Sequence, residues 1–163
     1  MQHDLSEIEK RTVSVKQHLE SLKSPFREKF FERKHAYVLN QKATKELRGV
    51  AGMYVVVVFS AQRCKDCAAH VPVLTLISEA TGLRVRVFGG LKKDVLSSVR
   101  KWRIPPSPQE AETFDVEKLP LMVIINRSGE EVGRIAENPK KMPALEEELL
   151  TVVRSGIPSW HKT

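Results

Sequence analysis

Residues 54–59 read Tyr-Val-Val-Val-Val-Phe, with no polar side chain and four valines in a row. A strand of that composition has no face to give to water, so it predicts a central strand covered on both sides. The apolar run from Met53 to Phe59 is also the longest in the chain. It is far shorter than the roughly 18 residues of a membrane span, so no membrane partner is expected.

Around this strand the pattern alternates. Cys64 to Ala80 carries Val71, Leu74, Leu76 and Ile77 at helical spacing, and Thr81-Gly82 stops it. Pro72, in the first third, predicts a kink. Leu83 to Phe88 alternates apolar residues with Arg84 and Arg86, the signature of a second strand. Gly89-Gly90 turns the chain. Asp94 to Trp102 predicts a short helix, and Ile104 to Glu112, with Pro105, Pro106 and Pro108, a loop. Leu121 to Ile125 and Glu130 to Ile135 predict a hairpin around Asn126-Arg127-Ser128-Gly129. A closing helix spans roughly Pro143 to Ser155, with Gly156 and Pro158 after it. Glu146, Glu147 and Glu148 at its start suit the helix dipole.

The helical crossover makes the first two strands parallel, whereas the last two form an antiparallel pair. The fold class is therefore α/β, a mixed sheet of about four strands with helices on both faces.

Residues 1–49 read differently. Leu5, Ile8, Val15, Leu19 and Leu22 fall at roughly helical spacing. Ser24-Pro25 predicts a helix start, with Ser24 as cap and Pro25 in the first position. Phe26, Phe30 and Phe31 then face a core, and Ala36 to Leu47 forms a further helix stopped by Gly49. The expected organisation is an N-terminal helical extension over 1–49, packed on a main domain over 50–163.

The chemistry lies in Cys64-Lys65-Asp66-Cys67, just after the apolar strand and at the mouth of the next helix. Unpaired N–H groups at a helix N-terminus favour an anion. Arg63 and Lys65 add positive charge, and both effects predict a Cys64 pKa below the free value of about 8.5. Cys67, one turn on, can reach the Cys64 sulfur. These are the only cysteines of the 163 residues, and the loop between them is too small to staple a fold. The spacing therefore reads as redox chemistry or metal binding. His70, a further turn along, and Asp66 are candidates for proton transfer. With both cysteines His70 makes three of the four ligands that zinc wants, and no fourth appears, so no metal is expected. Haem attachment needs His where Ala68 stands.

With Val-Val-Val-Val-Phe-Ser-Ala-Gln-Arg-Cys-Lys-Asp-Cys on the page, residues 50–155 resemble the thioredoxin superfamily. Phe114-Asp115-Val116-Glu117-Lys118-Leu119-Pro120-Leu121-Met122 is similar to the family's approach through a cis-proline into its next strand. The resemblance implies a thioredoxin-like three-layer α/β/α fold, a cis Pro120 facing the cysteines, and Leu119 presenting backbone groups to an extended substrate. A branch of small bacterial and archaeal relatives shares the helical extension and a Cys-x-Asp-Cys motif. The chain departs from typical thioredoxins at Arg63, where they carry Trp, at Lys65-Asp66, where they carry Gly-Pro, and at Val58, where they carry a buried aspartate.

The expected activity is thiol–disulfide exchange on protein disulfides, with Cys64 attacking, Cys67 resolving, Arg63, Lys65, Leu119 and Pro120 near the substrate, and no cofactor beyond the cysteine pair. An electron donor such as a reductase is implied. The alternative is a redox-silent module that binds a partner or holds a metal through the cysteines. The net charge of +7 is spread out, without a basic block or basic–aromatic stripe, so no specific nucleic acid is expected. No apolar signal-peptide core fits the charged first twenty residues, which points to the cytoplasm.

Overall fold

The computed structural model describes residues 2–92, 96, 102 and 107–155. Among them run seven α-helices and five strands: α1 (Leu5–Arg11), β1 (Val13–Ser14), α2 (Val15–Ser21), α3 (Phe26–Ala36), α4 (Gln41–Val50), β2 (Tyr54–Phe59), α5 (Lys65–Thr81), β3 (Arg84–Phe88), α6 (Glu110–Thr113), β4 (Leu121–Asn126), β5 (Glu131–Ala136) and α7 (Leu145–Ser155). The strands form one mixed sheet in the order β1-β3-β2-β4-β5. β2 is central and buried at all six residues. It pairs parallel with β3 and antiparallel with β4, and β4 pairs antiparallel with β5.

Pleat alternation sends Arg84 and Arg86 to one face and Val85 and Val87 to the other. On the first face both arginines bind Glu9 of α1, and the Arg86 guanidinium also donates to the Thr12 carbonyl at 2.8 Å. α5 packs against β3 and α7 against β5, with α3 and α4 stacked on them. Phe30 is fully buried in that layer, while Phe31 and Phe26 lie under the guanidinium groups of Arg27 and Arg63.

Several elements differ from the sequence pattern. Val13–Ser14 pairs antiparallel with β3, so the N-terminal segment contributes a fifth strand to the sheet as well as helices. The helix after Ser24 begins at Phe26, with Pro25 in the cap position and no side-chain cap, and the Ser24–Pro25 peptide is cis. The Ser24 hydroxyl instead donates to Glu28. The next helix is displaced towards its C-terminus, because Asn40 caps it by accepting the Ala43 N–H at 2.9 Å, and it runs through Gly49 to Val50. α5 continues through Pro72 and ends where Gly82 takes a φ of 79°. α6 occupies part of the expected proline loop. The helix expected over 94–102, Pro105, Pro106, Gly156, Pro158, Trp160 and His161 lie outside the described residues, apart from Leu96 and Trp102.

Glu146 and Glu148 are buried, which their reading as dipole partners did not anticipate. Glu146 accepts from the Tyr37 hydroxyl at 2.7 Å and the Asn40 N–H at 2.6 Å, tying the α3–α4 connection to α7. Glu148 accepts the N–H groups of Lys140, Lys141 and Met142 at 2.8, 2.8 and 2.9 Å. Burial pushes the Glu148 carboxyl up, but these three donors outweigh it and leave its pKa below the ordinary value.

Candidate active site

Strand register builds the site. Phe59, the last residue of β2, pairs with Leu121 on one side and with Phe88 on the other. The chain leaving β2 is therefore flanked by Leu119–Pro120, which enters β4, and by Gly89–Gly90, which leaves β3. Ser60 fixes this exit by donating its N–H to the Phe88 carbonyl at 3.1 Å. Four residues later Cys64 caps α5.

Cys64 is half-buried, and its sulfur accepts the Cys67 N–H at 3.2 Å. As a thiol it donates to the Leu119 carbonyl at 3.6 Å. Its pKa is lowered to about 7. Donation from the Cys67 thiol contributes most, and the Cys67 and Asp66 N–H groups add to it, against burial and the Asp66 charge. Hydrogen bonds thus do what the charges of Arg63 and Lys65 were expected to do. Arg63 stacks its guanidinium 4.9 Å from the centre of the Phe26 ring, and Lys65 is exposed on the first turn of α5.

Cys67 is fully buried, and both cysteines are free thiols. Burial, then bonding to Cys64 and the charge of Cys64, push the Cys67 thiol well above its ordinary pKa. The Ala61 N–H and the Ser60 hydroxyl oppose that rise. Ser60 is fully buried close to Cys67, and among the described residues its Oγ has no partner at hydrogen-bonding distance. The sequence reading passed over Ser60. The one available signal was a hydroxyl directly after an apolar strand and four residues before the first cysteine.

Leu119 and Pro120 are buried beside Cys64, and their peptide bond is cis. His70 is not gathered into this group. Its Nε2 lies 2.7 Å from Asn138 Oδ1, near Arg33 and Tyr37. Asp66 stays next to Cys64, where its charge raises that thiol's pKa. Among the described residues no group of three His, Cys, Asp or Glu is placed to hold a metal ion, and no helix is long and apolar enough to cross a membrane.

On its other flank Cys64 opens onto a cavity of about 1060 Å³. α2 supplies His18 and Ser21 to its wall, and the turn after β3 supplies Gly89, Gly90 and Leu91. His18 packs so closely on that turn that a Cβ at Gly89 would lie 3.1 Å from its Nδ1. Burial lowers the His18 pKa to about 4, so the imidazole is neutral at physiological pH.

Comparison with known proteins agrees with this architecture. A crystal structure of a protein of unknown function from Pseudomonas aeruginosa superposes with a TM-score of 0.63 at 12% identity, over 94% of this chain and 91% of that one. An HIV epitope scaffold superposes with a TM-score of 0.64 at 11% identity, over 94% and 90%. Likenesses at these identities concern the fold alone. No curated protein matches the sequence. A family model described as thioredoxin matches residues 12–150, which takes in β1 and every later described element but the end of α7. The chain belongs to the thioredoxin family.

Proposed function

We propose that this protein is a thiol–disulfide oxidoreductase that reduces or exchanges disulfides through Cys64 and Cys67. One observation carries the reading. Two thiols one helical turn apart sit in contrasting surroundings: half-buried Cys64 accepts the Cys67 N–H and its pKa falls to about 7, whereas burial pushes the Cys67 thiol well above its ordinary value. A thiolate is the attacking species, and one whose pKa sits near ambient pH is the most effective.

Cys64 thiolate attacks one sulfur of the substrate disulfide. A bond forms between Cys64 and that sulfur, and the other half leaves as a thiolate and takes up a proton. Leu119, whose carbonyl faces the Cys64 sulfur, aligns an extended protein substrate with Pro120. Cys67 then gives up its proton and attacks the Cys64 sulfur. The second half leaves as a thiolate, the protein holds a Cys64–Cys67 disulfide, and two electrons have passed to the substrate. A dithiol donor, such as a reductase, restores the reduced pair. The chemistry needs no further cofactor, and a reductant of this kind works in a reducing cytoplasm.

Ser60 supports the second step by donating its hydroxyl to the Cys67 thiolate. Ser60→Ala is expected to raise the Cys67 pKa further and slow closure of the disulfide by about tenfold, the value of one hydrogen bond. Alkylation of Cys64 keeps its rate and its midpoint. Rapid-mixing measurement of closure against pH checks this, and Ser60→Thr restores the hydroxyl.

The proposed activity is tested by equilibrating the protein in dithiol–disulfide buffers and counting free thiols. Two thiols disappear and return together, at a potential within the superfamily span of about −270 to −120 mV. If no reversible transition occurs, the pair is redox-silent and the protein is a binding module.

A further inference from the structure

The cavity beside Cys64 is separate from the approach along Leu119–Pro120, since neither of those residues lines it. Its volume of about 1060 Å³ matches the upper end of small-ligand sites. Among the described residues no aspartate or glutamate lines it, whereas Arg11, Arg63 and Lys92 do. Arg11 is bound by Glu110. Arg63 lines the cavity, is exposed with its guanidinium stacked on Phe26, and forms no ion pair among the described residues, so its charge is free to meet an anion entering the cavity. In the wall, His18 is only 6% exposed, and its Nε2 has no hydrogen-bond partner among the described residues. An unpartnered buried polar atom beside a cavity suits a polar occupant.

We propose that this cavity takes a small disulfide that carries carboxylates and presents one of its sulfurs to Cys64. The inference rests on the redox reading of the pair and names a substrate class for it. Cys64 thiolate attacks the nearer sulfur, giving a mixed disulfide and one anionic thiol. Cys67 attacks Cys64, releases the second thiol and leaves the protein oxidised by two electrons. The cations hold the carboxylates through both steps.

The test oxidises the full-length reduced protein with glutathione disulfide (anionic), hydroxyethyl disulfide (neutral) and cystamine (cationic). Each second-order rate is divided by the rate of the same disulfide with dithiothreitol, which removes leaving-group differences. At low salt the normalised rate for the anionic disulfide is expected to exceed that for the cationic one by about tenfold or more, and the gap to narrow as salt rises. Arg63→Gln narrows the gap by several-fold, whereas Lys42→Gln, on the exposed side of α4, barely moves it. Equal normalised rates for the three disulfides overturn the inference and leave the redox reading intact. So does a gap that Lys42→Gln narrows as much as Arg63→Gln, which marks steering by the overall charge. Failure of all three to oxidise the pair overturns the redox reading as well.

Discussion

A Cys64→Ser variant is expected to lose disulfide-reducing activity by about ten-thousandfold or more, the scale set by removing a catalytic nucleophile. A hydroxyl at this position keeps the helix cap but has no anion to offer near neutral pH. Cys67→Ala behaves differently. It retains the attacking group and stalls after one step, so it accumulates a mixed disulfide with the substrate, visible by mass as one adduct per chain. It also removes the largest contribution to the lowered Cys64 pKa, donation from the Cys67 thiol. The midpoint of Cys64 alkylation should therefore move up from about 7 in that variant. In the native protein the alkylation rate climbs as pH rises through about 7, because only the thiolate reacts. Full retention of activity in Cys64→Ser would sink the mechanism.

The largest expected loss of stability comes from Glu146→Ala. Glu146 is 1% exposed and serves both the Tyr37 hydroxyl and the Asn40 N–H. Alanine leaves both donors without their acceptor and opens space between α7 and the α3–α4 connection. The cost is about 3 kcal/mol, in the range for breaking a buried charged hydrogen-bond pair. For a chain of 163 residues this lowers the thermal midpoint by roughly 6–12 °C. Glu146→Gln, which keeps the shape and one acceptor, should lose about half as much. Calorimetry of the two variants separates hydrogen bonding from packing. A shift under 2 °C in Glu146→Ala, within about 0.5 kcal/mol, would show that solvent replaces the carboxylate.

What could be read from the sequence was what repeats locally. The β2 valines announce burial on both faces whatever surrounds them. The alternation of Arg84 and Arg86 with Val85 and Val87 announces a one-sided strand, and the Cys-x-x-Cys spacing places both sulfurs at the start of one helix. What escaped depended on distant partners. Two residues, Val13 and Ser14, have no period to detect, and only their pairing with β3 makes them a strand. Three successive glutamates read as partners of the helix dipole, because the Tyr37 and Asn40 donors that satisfy buried Glu146 come from the other end of the chain. Arg63 looked like the charge that lowers the Cys64 pKa, but hydrogen bonds do that, and its guanidinium stacks on Phe26. Ser60 has a meaning only once β2 register sets it beside Cys67.

The pairing of β1 with β3 changes what counts as a removable part of this molecule. A fragment beginning at the apolar run of residues 54–59 would keep both cysteines and the approach through Pro120. It would also expose β3 as a bare edge, strip Arg84 and Arg86 of Glu9, and remove the α2 wall of the cavity. Bare edges recruit copies of themselves. Insertions and deletions ahead of α5 would thus be filtered by aggregation before activity was ever at stake, and the first fifty residues would evolve under the same constraint as the core.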